Sequence, residues 1–182
     1  RVGIHLRPQG EVDVVVAGKA GPRQDPTQAF VGGARQKAQG RQAAALADEV
    51  AGAVPDIIRE GMTELDLAGR VEAEARRRGH QGVVRMRMWG GELFYGHLLA
   101  GPSAVVPSYL ASPTGGTGAS PAVAQGAGFG KIYPHQPILL DYVFAWQGYI
   151  ADHTRIFAIG ELPDDLMRAH QAMLDLQAVL KR

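Results

Sequence analysis

The chain has 182 residues, with 19 Lys and Arg against 18 Asp and Glu, a formal net charge of +1, and no Cys. That length suits one domain with a real core, the balanced charge excludes nucleic-acid binding by bulk electrostatics, and the missing thiol excludes disulfides and thiolate metal sites. No apolar run approaches the roughly 20 residues of a membrane span and the N-terminus lacks a secretory pattern, so no membrane partner and a cytoplasmic location are expected.

In residues 1–40, the apolar run Val12-Asp13-Val14-Val15-Val16-Ala17 reads as a short strand, and the rest is rich in Gly, Pro, Gln and Arg. That composition reads as loop or linker. From Ala43 to Glu60, residues Leu46, Val50, Val54, Ile57 and Ile58 recur at helical spacing. Pro55 should kink the last turn and Gly61 should end it. Thr63 is a good N-cap for a second helix reaching about Arg78, with Glu64 and Asp66 in its first turn complementing the dipole. Arg76, Arg77 and Arg78 read as its solvated C-terminal end, and His80, just past the Gly79 stop, as a surface turn residue.

Val83 to Met88 alternates apolar and basic residues and reads as a strand. Glu92 to Leu99 is a second strand candidate, carrying Tyr95 and His97. Gly101 to Gly130 holds seven Gly and four Pro and shows no periodicity. A stretch of that length is a flap over a cleft or an irregular surface loop. Its glycine clusters lack the Gly-Lys-Ser/Thr ending of a phosphate loop.

Ile138 to Phe157 is the most informative segment. Its flanks are β-branched, aromatic and aliphatic around Gln147-Gly148, which reads as a hairpin. A two-residue turn places Asp141 opposite Thr154 and Asp152 opposite Val143. The two aspartates are then diagonal neighbours on one face, roughly 7–8 Å apart at the backbone. Carboxylates so placed can converge on one metal ion or bridge two ions about 3.5–4 Å apart. Alternatively, backbone donors satisfy Asp141 and Arg155 pairs with Asp152. Alternation turns His153 to the opposite face. Pro163 then opens a last helix with Asp164 and Asp165 in its first turn and an apolar stripe through Leu166, Met167, His170, Met173 and Leu174, read as packed.

The string Asp141, Gly148-Tyr149, Asp152-His153-Thr154-Arg155-Ile156-Phe157 and Gly160 resembles the metal-binding hairpin of the M24 superfamily of methionine aminopeptidase, prolidase, aminopeptidase P and creatinase. Upstream, Glu60-Gly61-Met62-Thr63-Glu64-Leu65-Asp66-Leu67-Ala68 resembles the turn and helix start of its Xaa-Pro branch. The resemblance covers residues 43–182 or so. It implies an α+β pita-bread fold, incomplete here, with helices packed on a mainly antiparallel sheet. Residues 41–182 would be the first half of the catalytic domain, and residues 1–40 the remnant of an N-terminal domain or a linker.

The same resemblance implies a metal-dependent peptidase that hydrolyses the N-terminal Xaa-Pro bond with a metal-activated water. It implies a peptide substrate, a homodimer, and two divalent ions, Mn, Co, Fe or Zn. Asp141 and Asp152 would be the first two protein ligands. The His and two Glu that complete the family's site match nothing here, so this chain alone is expected to bind metal weakly and to be inactive. The family's substrate-side His falls at Ser108. His97 becomes the catalytic candidate in its place, with Tyr95 and Ser108 as candidate substrate contacts. The Ser108 departure leaves open a non-catalytic relative that binds peptides or proteins, and a creatinase-like C–N hydrolase is a further alternative.

Overall fold

A three-stranded antiparallel sheet in the order β3-β4-β5 carries the fold, formed by β3 (Gly96–Ala100), β4 (Ile138–Trp146) and β5 (Tyr149–Phe157). The computed structural model describes residues 34–85, 92–93, 95–107 and 114–180. The expected strand at Val12–Ala17, the later part of the Val83–Met88 strand and the Ser108 contact lie outside the described residues. Val84–Arg85 (β1) and Glu92–Leu93 (β2) pair as a separate two-stranded sheet.

The β4–β5 register runs from Ile138 opposite Phe157 to Trp146 opposite Tyr149, as the two-residue turn requires. Gln147 and Gly148 take φ of 50° and 81°. Positive φ at both central residues is the turn geometry whose twist matches that of the strands. Alternation then sorts the faces. Ile138, Leu140, Tyr142 and Phe144 are buried on one side, while Leu139, Asp141 and Val143 stand half-buried on the other.

Two helices cover the apolar face: α1 (Ala34–Ile57) lies on β4 and β5, and α2 (Glu64–Arg77) lies beside it on β3. α1 contributes Ala43, Ala47, Val50, Ala51 and Val54 to the core, and α2 contributes Leu67, Val71 and Ala75. Two polar ties fix α1 to the sheet. The Tyr142 hydroxyl donates to the Ala47 carbonyl at 2.9 Å, and the Arg155 guanidinium donates to Asp48 at 2.6 Å.

Several local expectations need correction. α1 begins at Ala34, ahead of Ala43, and ends at Ile57. Its first turns are built from Gln, Lys, Arg and Ala, which favour helix without marking an apolar stripe, and they absorb Gly40 at a cost of about 1 kcal/mol. The Glu92–Leu99 strand is split by a bend at Tyr95. A Cβ at Gly96 would overlap the Asp141 carbonyl oxygen, so glycine lets the two strands approach here.

The Gly-rich stretch is not wholly irregular: Gly101–Val105 forms a 3-10 helix. His80 is a core residue, 2% exposed, not a surface turn. Its Nδ1 accepts from the Ala145 amide at 3.0 Å, and its ring meets those of Tyr95 and Phe144 edge-on. The Arg triplet is the solvated helix end expected, with Arg76 and Arg77 exposed; Arg77 and Arg78 also pair with Glu74, and Arg76 donates to the His80 carbonyl at 2.6 Å.

The last helix, α3 (Asp164–Leu180), has no buried residue. The stripe expected to pack is only partly covered: Leu166 and Met173 are exposed. Met167, His170 and Leu174 are only half-buried.

Candidate functional site

Sheet register assembles the site. His97 pairs with Asp141 across β3–β4, and Asp141 pairs with Thr154 across β4–β5. Directly paired residues share a face, so all three stand side by side on the face opposite the helices. Asp152 pairs with Val143 on that same face, diagonal to Asp141. The hairpin geometry expected from the turn therefore holds, and it brings two carboxyl groups and one imidazole onto one surface.

Hydrogen bonds orient Asp141. Thr154 donates its hydroxyl to Asp141 Oδ1 at 2.8 Å, and the Thr114 hydroxyl lies 3.4 Å from Oδ2. Thr114 also sits 2.9 Å from His97 Nδ1. Its hydroxyl thus joins the imidazole to the carboxylate. His97 Nε2 makes no hydrogen bond among the described residues and is the ring nitrogen left for another group.

The alternative arrangement is overturned on both counts. Two threonine hydroxyls, not backbone donors, serve Asp141. Arg155 lies on the helix side and pairs with Asp48, leaving Asp152 without it. His153 also points to the helix side, as alternation requires. Its Nδ1 is 3.4 Å from Asp48, but the short bond of that carboxylate goes to Arg155.

Electrostatics follow from this crowding. Asp152 has its carboxyl pushed above the ordinary aspartate range, first because the sheet behind it displaces water, then because Asp141 repels its charged form. His97 is pushed below the ordinary histidine range by burial, with Asp141 pulling partly the other way. The balance leaves its neutral form favoured relative to a free imidazole. Two carboxyl groups on neighbouring strands form a donor set that suits a divalent cation, whose charge would offset the repulsion Asp152 meets. Among the described residues, no third acid or histidine joins them in a cluster able to hold a metal.

The Gly-rich segment roofs the β3 end of this face. Gly126 approaches the His97 ring, and Gly116 lies against Leu99. Residues 126–132 are tied down rather than free to swing. Gly128 and Gly130 carbonyls accept from the Leu65 and Glu64 amides at 3.0 and 2.9 Å, and Ile132 donates to the Met62 carbonyl at 2.9 Å.

Tyr95, a candidate substrate contact, sits in the core instead, 3% exposed, its ring tilted against Tyr142 at 5.3 Å. Burial raises its phenol far above the ordinary tyrosine range. Two residues of consequence were not singled out for the site from sequence. Thr114 carried no signal, because a lone hydroxyl in a Gly-rich stretch has no pattern. Glu64 read only as a helix-dipole partner, and it is 1% exposed.

The profile of metallopeptidase family M24 matches residues 38–181. No curated protein matches the chain. Among solved structures, an X-Pro aminopeptidase from Thermotoga maritima MSB8 superposes with a TM-score of 0.61 at 22% identity, over 79% of this chain and 33% of that one. A prolidase from Pyrococcus furiosus gives 0.59 at 18% identity, over 80% and 36%. A prolidase from Pyrococcus horikoshii OT3 gives 0.59 at 17% identity, over 80% and 35%. The chain spans about a third of the length of these structures. Their likeness assigns it a partial pita-bread fold, α+β, with helices on an antiparallel sheet.

Proposed function

Because this chain belongs to metallopeptidase family M24, we propose that it forms the first half of the catalytic domain of a peptidase that hydrolyses N-terminal Xaa-Pro bonds. The observation that carries this reading is the shared face of His97, Asp141, Thr154 and Asp152, set by strand register. Asp141 and Asp152 are its metal ligands, each offering oxygen donors that suit Mn, Co, Fe or Zn. A bound pair of divalent ions would supply a hydroxide nucleophile by lowering the pKa of a shared water.

The chain's own residues have separate tasks. Thr154 and Thr114 hold the Asp141 carboxylate in one orientation. Asp152 presents its carboxyl from the neighbouring strand. His97, bonded through Nδ1, offers Nε2 to a peptide lying along β3. The remaining ligands of a two-metal centre come from elsewhere in the assembled protein, so the 182 residues alone bind metal weakly and lack activity. A homodimer and a cytoplasmic location belong to the same reading. No helix among the described residues is long and apolar enough to cross a membrane.

The test is an assay of the full-length protein on Xaa-Pro dipeptides and longer Xaa-Pro peptides with added Mn. Proline-dependent release of the N-terminal residue is expected. No turnover on either, together with no metal by elemental analysis, sinks the reading. Metal and peptide binding without turnover would support a non-catalytic relative, the outcome that Ser108 at the substrate-side position favours.

A further inference from the structure

Glu64 holds a buried carboxyl group whose partners are hydrogen-bond donors rather than a cation. Ala100 donates its amide to Oε1 at 2.7 Å, Gly128 donates its amide to Oε2 at 3.0 Å, and the Ser103 hydroxyl donates to Oε1. A carboxyl group in the interior is costly unless donors surround it. Here they come from β3, which Ala100 ends, and from both ends of the Gly-rich segment, Ser103 in its 3-10 helix and Gly128 near its close.

The Gly-rich segment returns the contact. Gly130 and Gly128 carbonyls take the Glu64 and Leu65 amides, first-turn donors that have no acceptor within α2. From Gly128 the connection continues toward the site. Gly126 donates to the Gly115 carbonyl at 2.7 Å, Gly118 donates to the Gly126 carbonyl at 3.1 Å, and Gly116 donates to the Val106 carbonyl at 3.0 Å. Gly115 is the chain neighbour of Thr114, whose hydroxyl lies 2.9 Å from His97 Nδ1.

We propose that Glu64 is a positioning residue for the His97–Asp141 face, acting through Gly128 and the Gly126–Gly115 bond to hold Thr114 against the imidazole. A helix-start acid facing solvent would leave β3 and the Gly-rich segment independent; this one makes their placement a single event. Only the catalytic consequence rests on the peptidase reading above.

The test compares the wild-type protein with Glu64→Gln, which keeps the volume but turns an amide NH2 toward one of the three donors. Amide hydrogen exchange and the ring-nitrogen NMR spectrum of His97 are read together. The Ala100, Gly116, Gly126 and Gly128 amides are expected to exchange at least about tenfold faster, while α1 and the β4–β5 hairpin stay within about twofold. The His97 ring signals are expected to move, which a local loss of stability elsewhere would not cause. Ser103→Ala removes one donor and should give a smaller change in the same direction, and it keeps the test open should Glu64→Gln fail to fold. Unchanged loop amides, uniform acceleration across the fold, or an unmoved His97 ring overturns the proposal. None of these readouts needs turnover, so their failure and a failed Xaa-Pro assay are distinguishable.

Discussion

Thr154 donates its hydroxyl to Asp141 Oδ1 at 2.8 Å from the directly paired position on the next strand. The bond fixes which carboxylate lone pairs face outward. It follows from register alone, since Asp141 and Thr154 must be cross-strand partners if Gln147-Gly148 is the whole turn.

Replacing Thr154 by Val keeps the shape and removes this donor. The half-exposed pair should contribute about 1 kcal/mol or less to stability, below the range for buried charged hydrogen bonds. Its effect on a ligand should be larger, since loss of an outer partner typically weakens metal binding by about 10–100-fold. Calorimetric titration of the full-length protein with Mn, wild type against Thr154→Val, should show that drop with little change in melting temperature. Equal affinities would mean the hydroxyl does not orient the carboxylate.

Stability should rise with pH across the histidine range. Burial holds His97 and His153 below their ordinary value; Asp141 partly opposes this at His97, while at His153 Asp48 and Asp152 oppose it and Arg155 adds to it. Between the ordinary value near 6.5 and the lower folded values, the unfolded chain binds more protons than the folded one. Folding is then favoured as pH increases and loses that contribution as pH falls. Asp152 acts with the opposite sign in a more acidic window, because its folded value is raised. Thermal melts should show the melting temperature climbing from about pH 5 to about pH 7.5, with a flatter profile in His97→Gln and in His153→Gln. A flat wild-type profile would contradict the burial of both rings.

α3 should behave as a weakly supported helix. Its 17 residues include Leu176 at 51% and Val179 at 62% exposure. A helix of that length is marginal in water without tertiary packing. Hydrogen exchange on the 182-residue chain should find α3 amides nearly unprotected while those of α1 are protected. Strong protection of α3 would require a covering surface from a second copy.

The hairpin was legible because a period-two pattern, two flanking apolar runs and a turn dipeptide all specify the same pairing. α2 was legible through Thr63, whose hydroxyl takes the Asp66 amide at 3.1 Å. What stayed hidden depends on contacts distant along the chain. Glu64 is bonded to residues 36 and 64 positions away, and nothing in its neighbours distinguishes it from a solvated first-turn acid. His80 follows a glycine stop that usually leads to solvent, but β4 folds back over it. The α3 stripe is a sound sign of helix, yet periodicity names an apolar face without naming its partner.

The central claim is that Asp141 and Asp152 together hold metal. It is tested most directly by elemental analysis of the full-length protein purified in Mn, wild type against the Asp141→Asn, Asp152→Asn double variant. The account predicts about two ions per wild-type chain, as a two-metal site requires, and near-complete loss in the double variant. A double variant that retains the wild-type metal content would contradict it.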